Sequence, residues 1–210
     1  MPEPIPVDFW FDPLCPWTWL TSRWLLEVEK ERPVDIRWNV LSLALLNEGR
    51  LDRIPEEFHE LLGPKGWRPV RVVAAAGQKF GNGAAGRLYT ELGTRFHHDG
   101  QGPTLEAITA ALAAADLPAE LVDHADGTEY DAEVRASHRR GLEAVGEEVG
   151  SPVIAVPDAN GEQAAFFGPV VTPVPRGDAA LRLFDALLLS ASVPGFAELK
   201  RARTSGPDFG

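Results

Sequence analysis

The period at which apolar positions recur changes several times along the chain, and each change marks an element. Pro6–Phe11 (PVDFWF) is a short, aromatic-rich run closed by Asp12-Pro13, which predicts a buried strand. From Pro16 to Glu31 the period lengthens, with Trp17, Leu20, Trp24 and Val28 at helical spacing. Pro16 suits the first position of that helix, where its missing N–H has no partner to lose. Pro33 stops the helix, and Val34–Leu41 (VDIRWNVL) alternates as a second strand, giving β-α-β with a helical crossover. From about Leu51 to Leu121 the alternation vanishes into helix formers (VRVVAAAGQKF, TLEAITAALAAADL), which predicts an all-helical insertion. One more amphipathic helix is expected over Tyr130–Val149, closed by Gly150. Val153–Val156 and Ala164–Phe167 then flank Asp158-Ala159-Asn160-Gly161, whose Asn-Gly signals a hairpin. A last helix is expected over Asp178–Ser190, followed by a tail whose end (SGPDFG) is expected to fray. The pattern is α/β, in the order β-α-β, helical insert, α-β-β-α. It divides the chain into one domain from 1–50 and 126–210, and an inserted helical domain from 51–125.

Charge and cysteine usage narrow the function classes. A net charge of −11 sets the surface against nucleic acid and anionic membranes, since both carry phosphate. No apolar run reaches the roughly 20 residues that span a bilayer. The opening MPEPIPVDFWFD lacks the basic patch and apolar core of a signal peptide. One cysteine cannot form an internal disulfide, so oxidising conditions would stabilise nothing, and a cytoplasmic location is expected. The expected partners are a small-molecule or disulfide substrate, with a homodimer left open. Three sequence features point nowhere. Gly81-Asn82-Gly83-Ala84-Ala85-Gly86 matches the dinucleotide fingerprint, but no strand precedes it, so it reads as a loop of the insertion and no nucleotide is expected. His97 and His98 are adjacent, which a helix or strand would point apart, and no spaced Cys, His or Asp set accompanies them, so no metal is expected. His138, among charges on a predicted helix, reads as part of a solvated face.

The chemistry concentrates at Cys15-Pro16-Trp17-Thr18, where a strand hands over to a helix. A helix N-terminus offers unpaired N–H groups and about half a positive charge, both of which favour a thiolate over a thiol. Trp17 beside the cysteine reads as an aromatic wall for a flat or thiol-linked substrate, with core packing as the alternative. Far along the chain, Gly150-Ser151-Pro152-Val153 puts a proline directly before the third strand.

The segments DFWFDPLCPW (8–17), TSRW (21–24), LSLALLNE (41–48), AVGEEVGSP (144–152), FFGPV (166–170), PRG (175–177) and ELKR (198–201) resemble the DsbA-like thioredoxin superfamily. Within it they are most similar to the mycothiol-dependent nitroreductase group. The resemblance implies a thioredoxin core with helices inserted over the active end of the sheet. It also implies a cis Ser151-Pro152 bond facing the cysteine, and mycothiol or another low-molecular-weight thiol as co-substrate. It suggests that Asn47 lines the pocket, with a turn role as the alternative. Phe58 would close the pocket from the insertion.

One departure matters: family members carry C-P-W-C, and here the fourth position is Thr18. A dithiol enzyme resolves a mixed disulfide with its second thiol, and this chain has none. The expected function is therefore a monothiol thiol-disulfide oxidoreductase acting through Cys15, with an external thiol releasing it. Thr18 reads either as a hydrogen-bond donor to the thiolate or as a helix-surface residue. Two alternatives stand beside the leading one. The chain could be a transferase or isomerase like the kappa class, stabilising a bound cofactor thiol. It could also be a non-catalytic binding protein of the same fold.

Overall fold

A computed structural model describes residues 3–146 and 149–210. Its first three elements are strand β1 (Ile5–Phe11), helix α1 (Pro16–Glu29) and strand β2 (Val34–Val40), with β1 and β2 parallel. The sheet is completed by β3 (Val153–Pro157) and β4 (Gln163–Phe167), in the order β2-β1-β3-β4, with β3 antiparallel to both neighbours. This is the thioredoxin fold. β1 is central and covered on both faces, which is why it reads as a near-continuous apolar run. Val7, Phe9 and Phe11 face the main core. Trp10 faces a smaller cluster with Leu41, Val153 and Ala155.

Helix α1 lays Leu20, Trp24 and Val28 into the main core, as their spacing predicts. Trp24 also donates its indole N–H to Ala180 O at 3.0 Å, which ties α1 to the final helix α7 (Asp178–Ala191). Between β2 and β3 the chain is helical: α2 (Leu43–Leu46), α3 (Trp67–Phe80), α4 (Asn82–Gly93), α5 (Leu105–Ala114) and α6 (Asp131–Val145), with short 3-10 turns between them. Val73, Leu88, Leu92, Ile108 and Leu112 belong to the same core cluster as β1 and α1, so sheet and helices share one interior. No helix among the described residues is long and apolar enough to cross a membrane.

Four local expectations are corrected. Helix α6 ends at Gly146 and not at Gly150, because Gly146 takes φ +90, which costs little without a Cβ, and its N–H bonds Leu142 O. Residues 147 and 148 of the expected helix lie outside the described residues. The glycine fingerprint is not a loop: only Gly81 turns, at φ +87, and α4 begins at Asn82. Its residues serve packing. The Asn82 carboxamide accepts from Trp38 N and donates to Trp38 O, both at 2.8 Å, capping the free edge of β2 as a strand would. A Cβ on Gly86 would lie 2.4 Å from the Trp38 indole nitrogen. His97 and His98 do not point apart, because α4 continues as a π-helical turn over Thr94–His98 and both rings pack on Trp19. His138 is half-buried, and burial holds its pKa below the ordinary histidine value.

Candidate active site at Cys15

After Phe11 the chain leaves the sheet through Asp12-Pro13-Leu14 and enters α1 with Cys15 as its N-cap, φ −81 and ψ 113. The turn is held from inside by Asp12. Its fully buried carboxylate accepts from Leu14 N at 2.8 Å and from Leu43 N, at the start of α2, at 2.7 Å. Burial pushes the Asp12 pKa up to about 6, against the pull of the two backbone N–H groups. Cys15 N donates to Asp12 O at 3.0 Å, which closes the turn. The Cys15 side chain is 4% exposed.

The residues before β3 arrive opposite this turn. The Ser151-Pro152 bond is cis, and Cys15 Sγ lies 3.9 Å from Ser151 O. Thr18, one helical turn after Cys15, is fully buried and donates its hydroxyl to Ser151 Oγ at 3.1 Å. Thr18 is thus neither a helix-surface residue nor bonded to sulfur. Its hydroxyl locks α1 to the backbone that faces the cysteine. Cys15, Thr18, Ser151 and Pro152 are therefore brought together across 133 residues or more of sequence. Two further cis bonds, Gly168-Pro169 and Thr172-Pro173, shape the loop after β4, and Thr21 ties that loop to α1 by donating to Pro169 O at 2.7 Å.

The other sequence candidates are placed differently. Pro16 is the first residue of α1. Trp17 is half-buried at the rim and stacks beneath a guanidinium, with Arg203 Cζ 4.7 Å from its ring centre. Asn47 closes α2 and donates its amide to Leu43 O at 2.7 Å, so its carboxamide is engaged by its own helix. Phe58 ends a 3-10 turn over Glu56–Phe58 at 42% exposure, and no hydrogen bond or ring contact among the described residues joins it to the cysteine turn.

The geometry adds residues that no motif or spacing had tied to Cys15. His97 donates from Nε2 to Pro13 O at 2.9 Å, directly from the helical region to the turn that carries Cys15. Burial lowers its pKa to about 4, so the ring is neutral at physiological pH. Trp19, behind the cysteine, donates to His98 Nε2 at 3.4 Å and lies under Arg23 Cζ at 4.0 Å. Arg23 is bonded by the hydroxyls of Ser22 and Thr90 and remains cationic, although burial lowers its pKa to about 10. Phe209, in the tail expected to fray, is half-buried and stacks on His97 at 5.4 Å. A buried acid before C-P-W is the one signal that sequence alone offered, because Asp12 follows a strand with no basic partner nearby in the chain. Among the described residues no group of three or more His, Cys, Asp or Glu is placed to hold a metal ion.

Comparison with known proteins agrees with this arrangement. The family model Rv2466c-like, described as mycothiol-dependent nitroreductase Rv2466c, matches residues 14–201. The uncharacterized protein Rv2286c of Mycobacterium tuberculosis is 31% identical over 201 residues, covering 94% of this chain and 82% of that protein. Among solved structures, the probable DsbA oxidoreductase SCO1869 from Streptomyces coelicolor superposes with TM-score 0.59 at 17% identity, covering 97% of each chain. The cytosolic disulfide reductase DsbM from Pseudomonas aeruginosa gives TM-score 0.57 at 19% identity, covering 88% of this chain and 99% of that one. The fold is shared with both structures, and the family match runs through Cys15, Thr18, Ser151 and Pro152: the chain belongs to the Rv2466c-like mycothiol-dependent nitroreductase family.

Proposed function

We propose that this chain, a member of the mycothiol-dependent nitroreductase family, works as a monothiol thiol-disulfide oxidoreductase whose nucleophile is Cys15 and whose co-substrate is mycothiol or another low-molecular-weight thiol. The observation that carries the reading is the pairing of the only thiol of the chain, at the N-cap of α1, with the backbone of a cis Ser151-Pro152 bond, while position 18 holds a buried threonine. The Cys15 thiolate attacks one sulfur of a disulfide, forms the protein–substrate S–S bond and expels the other sulfur as a thiolate. The co-substrate thiolate then attacks that mixed disulfide, regenerates Cys15 and leaves as the new disulfide. Every step exchanges one S–S bond for another, so no further oxidant enters the cycle. Asp12, through Leu14 N and Leu43 N, and His97, through Pro13 O, would hold the turn that presents sulfur. Trp17 and Ser151-Pro152 would flank the substrate.

On this reading residues 1–50 and 126–210 form the reactive domain and 51–125 its helical cover, and the protein works in the cytoplasm. A second reading rests on the buried Thr18–Ser151 hydroxyl pair beside the sulfur. These hydroxyls would stabilise the thiolate of a bound cofactor thiol in a transferase or isomerase, and Cys15 itself would stay unmodified. Intact mass after incubation with oxidised mycothiol separates the two. The monothiol reading expects one mycothiol adduct on the native protein, removed by excess thiol and absent from Cys15→Ser. A native protein that never gains the adduct, while the urea-unfolded chain does, overturns it.

A further inference from the structure

The segment after α7 has no regular structure, yet it is pinned at several points around Cys15. Arg203 lays its guanidinium on Trp17, two residues after the cysteine, at 4.7 Å. Thr172, on the loop that Thr21 ties to α1, donates to Gly206 O at 3.3 Å and accepts from Asp208 N at 3.0 Å. Phe209 then stacks on His97 at 5.4 Å with planes 27° apart and meets His98 at 5.9 Å. His97 is the residue that donates to Pro13 O, two residues before the cysteine. The tail therefore engages the far flank of Cys15 at Trp17 and, through His97, the near flank at Pro13.

These contacts are of a kind that holds a segment without fixing it permanently. Arg203 is exposed, and a cation over a tryptophan face at an exposed site is a weak attachment. The backbone of 203–210 forms no strand ladder, so lifting it breaks few hydrogen bonds. Phe209 is the only deep anchor: it packs against the main core cluster, while every residue from 199 to 208 is exposed. A segment with one aromatic anchor and weak intermediate ties opens locally, at far lower cost than unfolding.

We infer that residues 203–209 are a strap across the mouth of the Cys15 site, and that Arg203 and Phe209 set the size of reactant that reaches the sulfur with the strap in place. Small reagents pass beneath it, and bulky ones wait for it to lift. The inference concerns access alone and holds whichever reaction Cys15 performs.

Because Cys15 is the sole thiol, its alkylation rate reads access directly. Rates with N-ethylmaleimide and with a maleimide carrying a polyethylene glycol chain are compared in wild type, Arg203→Ala, and the Arg203→Ala/Phe209→Ala double variant. Leu189→Ala, on the exposed face of α7, serves as control. The ratio of bulky to small rate should rise roughly tenfold in the double variant, the size expected for losing one exposed cation–π contact and one aromatic pair. It should rise by a smaller factor in Arg203→Ala and stay unchanged in Leu189→Ala, with no change in Tm. An unchanged ratio overturns the strap, as does equal acceleration of both reagents, which would report general loosening. If Phe209→Ala lowers Tm, the single variant of exposed Arg203 decides: a raised ratio at unchanged Tm supports the strap, and anything else overturns it.

Discussion

Asp12 and His97 both support the cysteine turn, and their titrations should pull the stability of the protein in opposite directions. Burial raises the Asp12 pKa from the ordinary 3.8 to about 6. Between those values the folded chain keeps a proton that the unfolded chain has released. This stabilisation is full below pH 3.8 and lost as pH rises through 6, and it amounts to about 3 kcal/mol. Burial lowers the His97 pKa from the ordinary 6.5 to about 4, so here the unfolded chain takes up the proton first. That contribution is full above pH 6.5 and lost as pH falls through 4, again about 3 kcal/mol. Between about pH 4 and 6 the two slopes oppose each other, and the wild type should show little net dependence from this pair. Single substitutions unmask each slope. Asp12→Asn keeps an acceptor for one backbone N–H, and His97→Gln keeps a donor for Pro13 O. Urea unfolding, followed by tryptophan fluorescence at a series of pH values, gives the difference from wild type, in which all other titrating groups cancel. The Asp12→Asn curve should gain on wild type by about 2 kcal/mol as pH rises from 4 to 6, and the His97→Gln curve should gain by about 3 kcal/mol as pH falls from 6.5 to 4. A difference that stays flat across this window for either variant refutes the burial argument for that residue.

Two further predictions concern helix α1. Thr18→Cys puts a second thiol one turn from Cys15, where helical spacing allows a disulfide, so the oxidised monomer should weigh about two mass units less than the reduced one. The absence of that species under mild oxidation would mean that the two side chains cannot converge. Gly93→Ala would place a Cβ 2.2 Å from the Trp19 ring, which is 2% exposed and cannot swing away. Urea unfolding should then show a loss of about 1–3 kcal/mol, and an unchanged midpoint would refute the close packing of α4 on α1.

What the sequence made legible was periodic. Leu20, Trp24 and Val28 lie on one stripe, the alternation of Val34–Val40 survives as a strand, and Asn-Gly marks the β3–β4 turn, because each pattern is set within a few residues. What stayed hidden was set by partners distant in the chain. Thr18 reads as a donor to the thiolate or as helix surface, and is neither once Ser151 arrives from 133 positions away to satisfy its hydroxyl. Two glycines of the 81–86 run match a nucleotide motif for unrelated reasons, the positive-φ turn at Gly81 and the Trp38 ring at Gly86. The π-helical turn at Thr94–His98 turns two adjacent histidines onto one tryptophan, which no helical or strand periodicity would indicate. The tail ends in Ser-Gly-Pro-Asp-Phe-Gly, so composition favours fraying, and contacts with distant partners oppose that expectation: Phe209 on His97, Arg203 on Trp17, and the Thr172 hydroxyl with Gly206 and Asp208.

Position 18 shows how the site accommodates a threonine one helical turn from Cys15. A threonine hydroxyl buried without a partner costs about 1–3 kcal/mol, more than most single side-chain contacts contribute. Thr18 escapes that cost because Ser151 offers an oxygen at 3.1 Å, and Ser151 is also the residue whose carbonyl faces Cys15 Sγ. The hydrogen bond thus joins α1 and the residues before β3 at the point where the sulfur must be presented, without touching the sulfur itself. A cysteine at position 18 would give up this tie to gain a resolving thiol. With threonine the tie is kept and the Ser151 carbonyl stays 3.9 Å from Cys15 Sγ; on the monothiol reading proposed above, release of a bound thiol would then fall to a second molecule from solution.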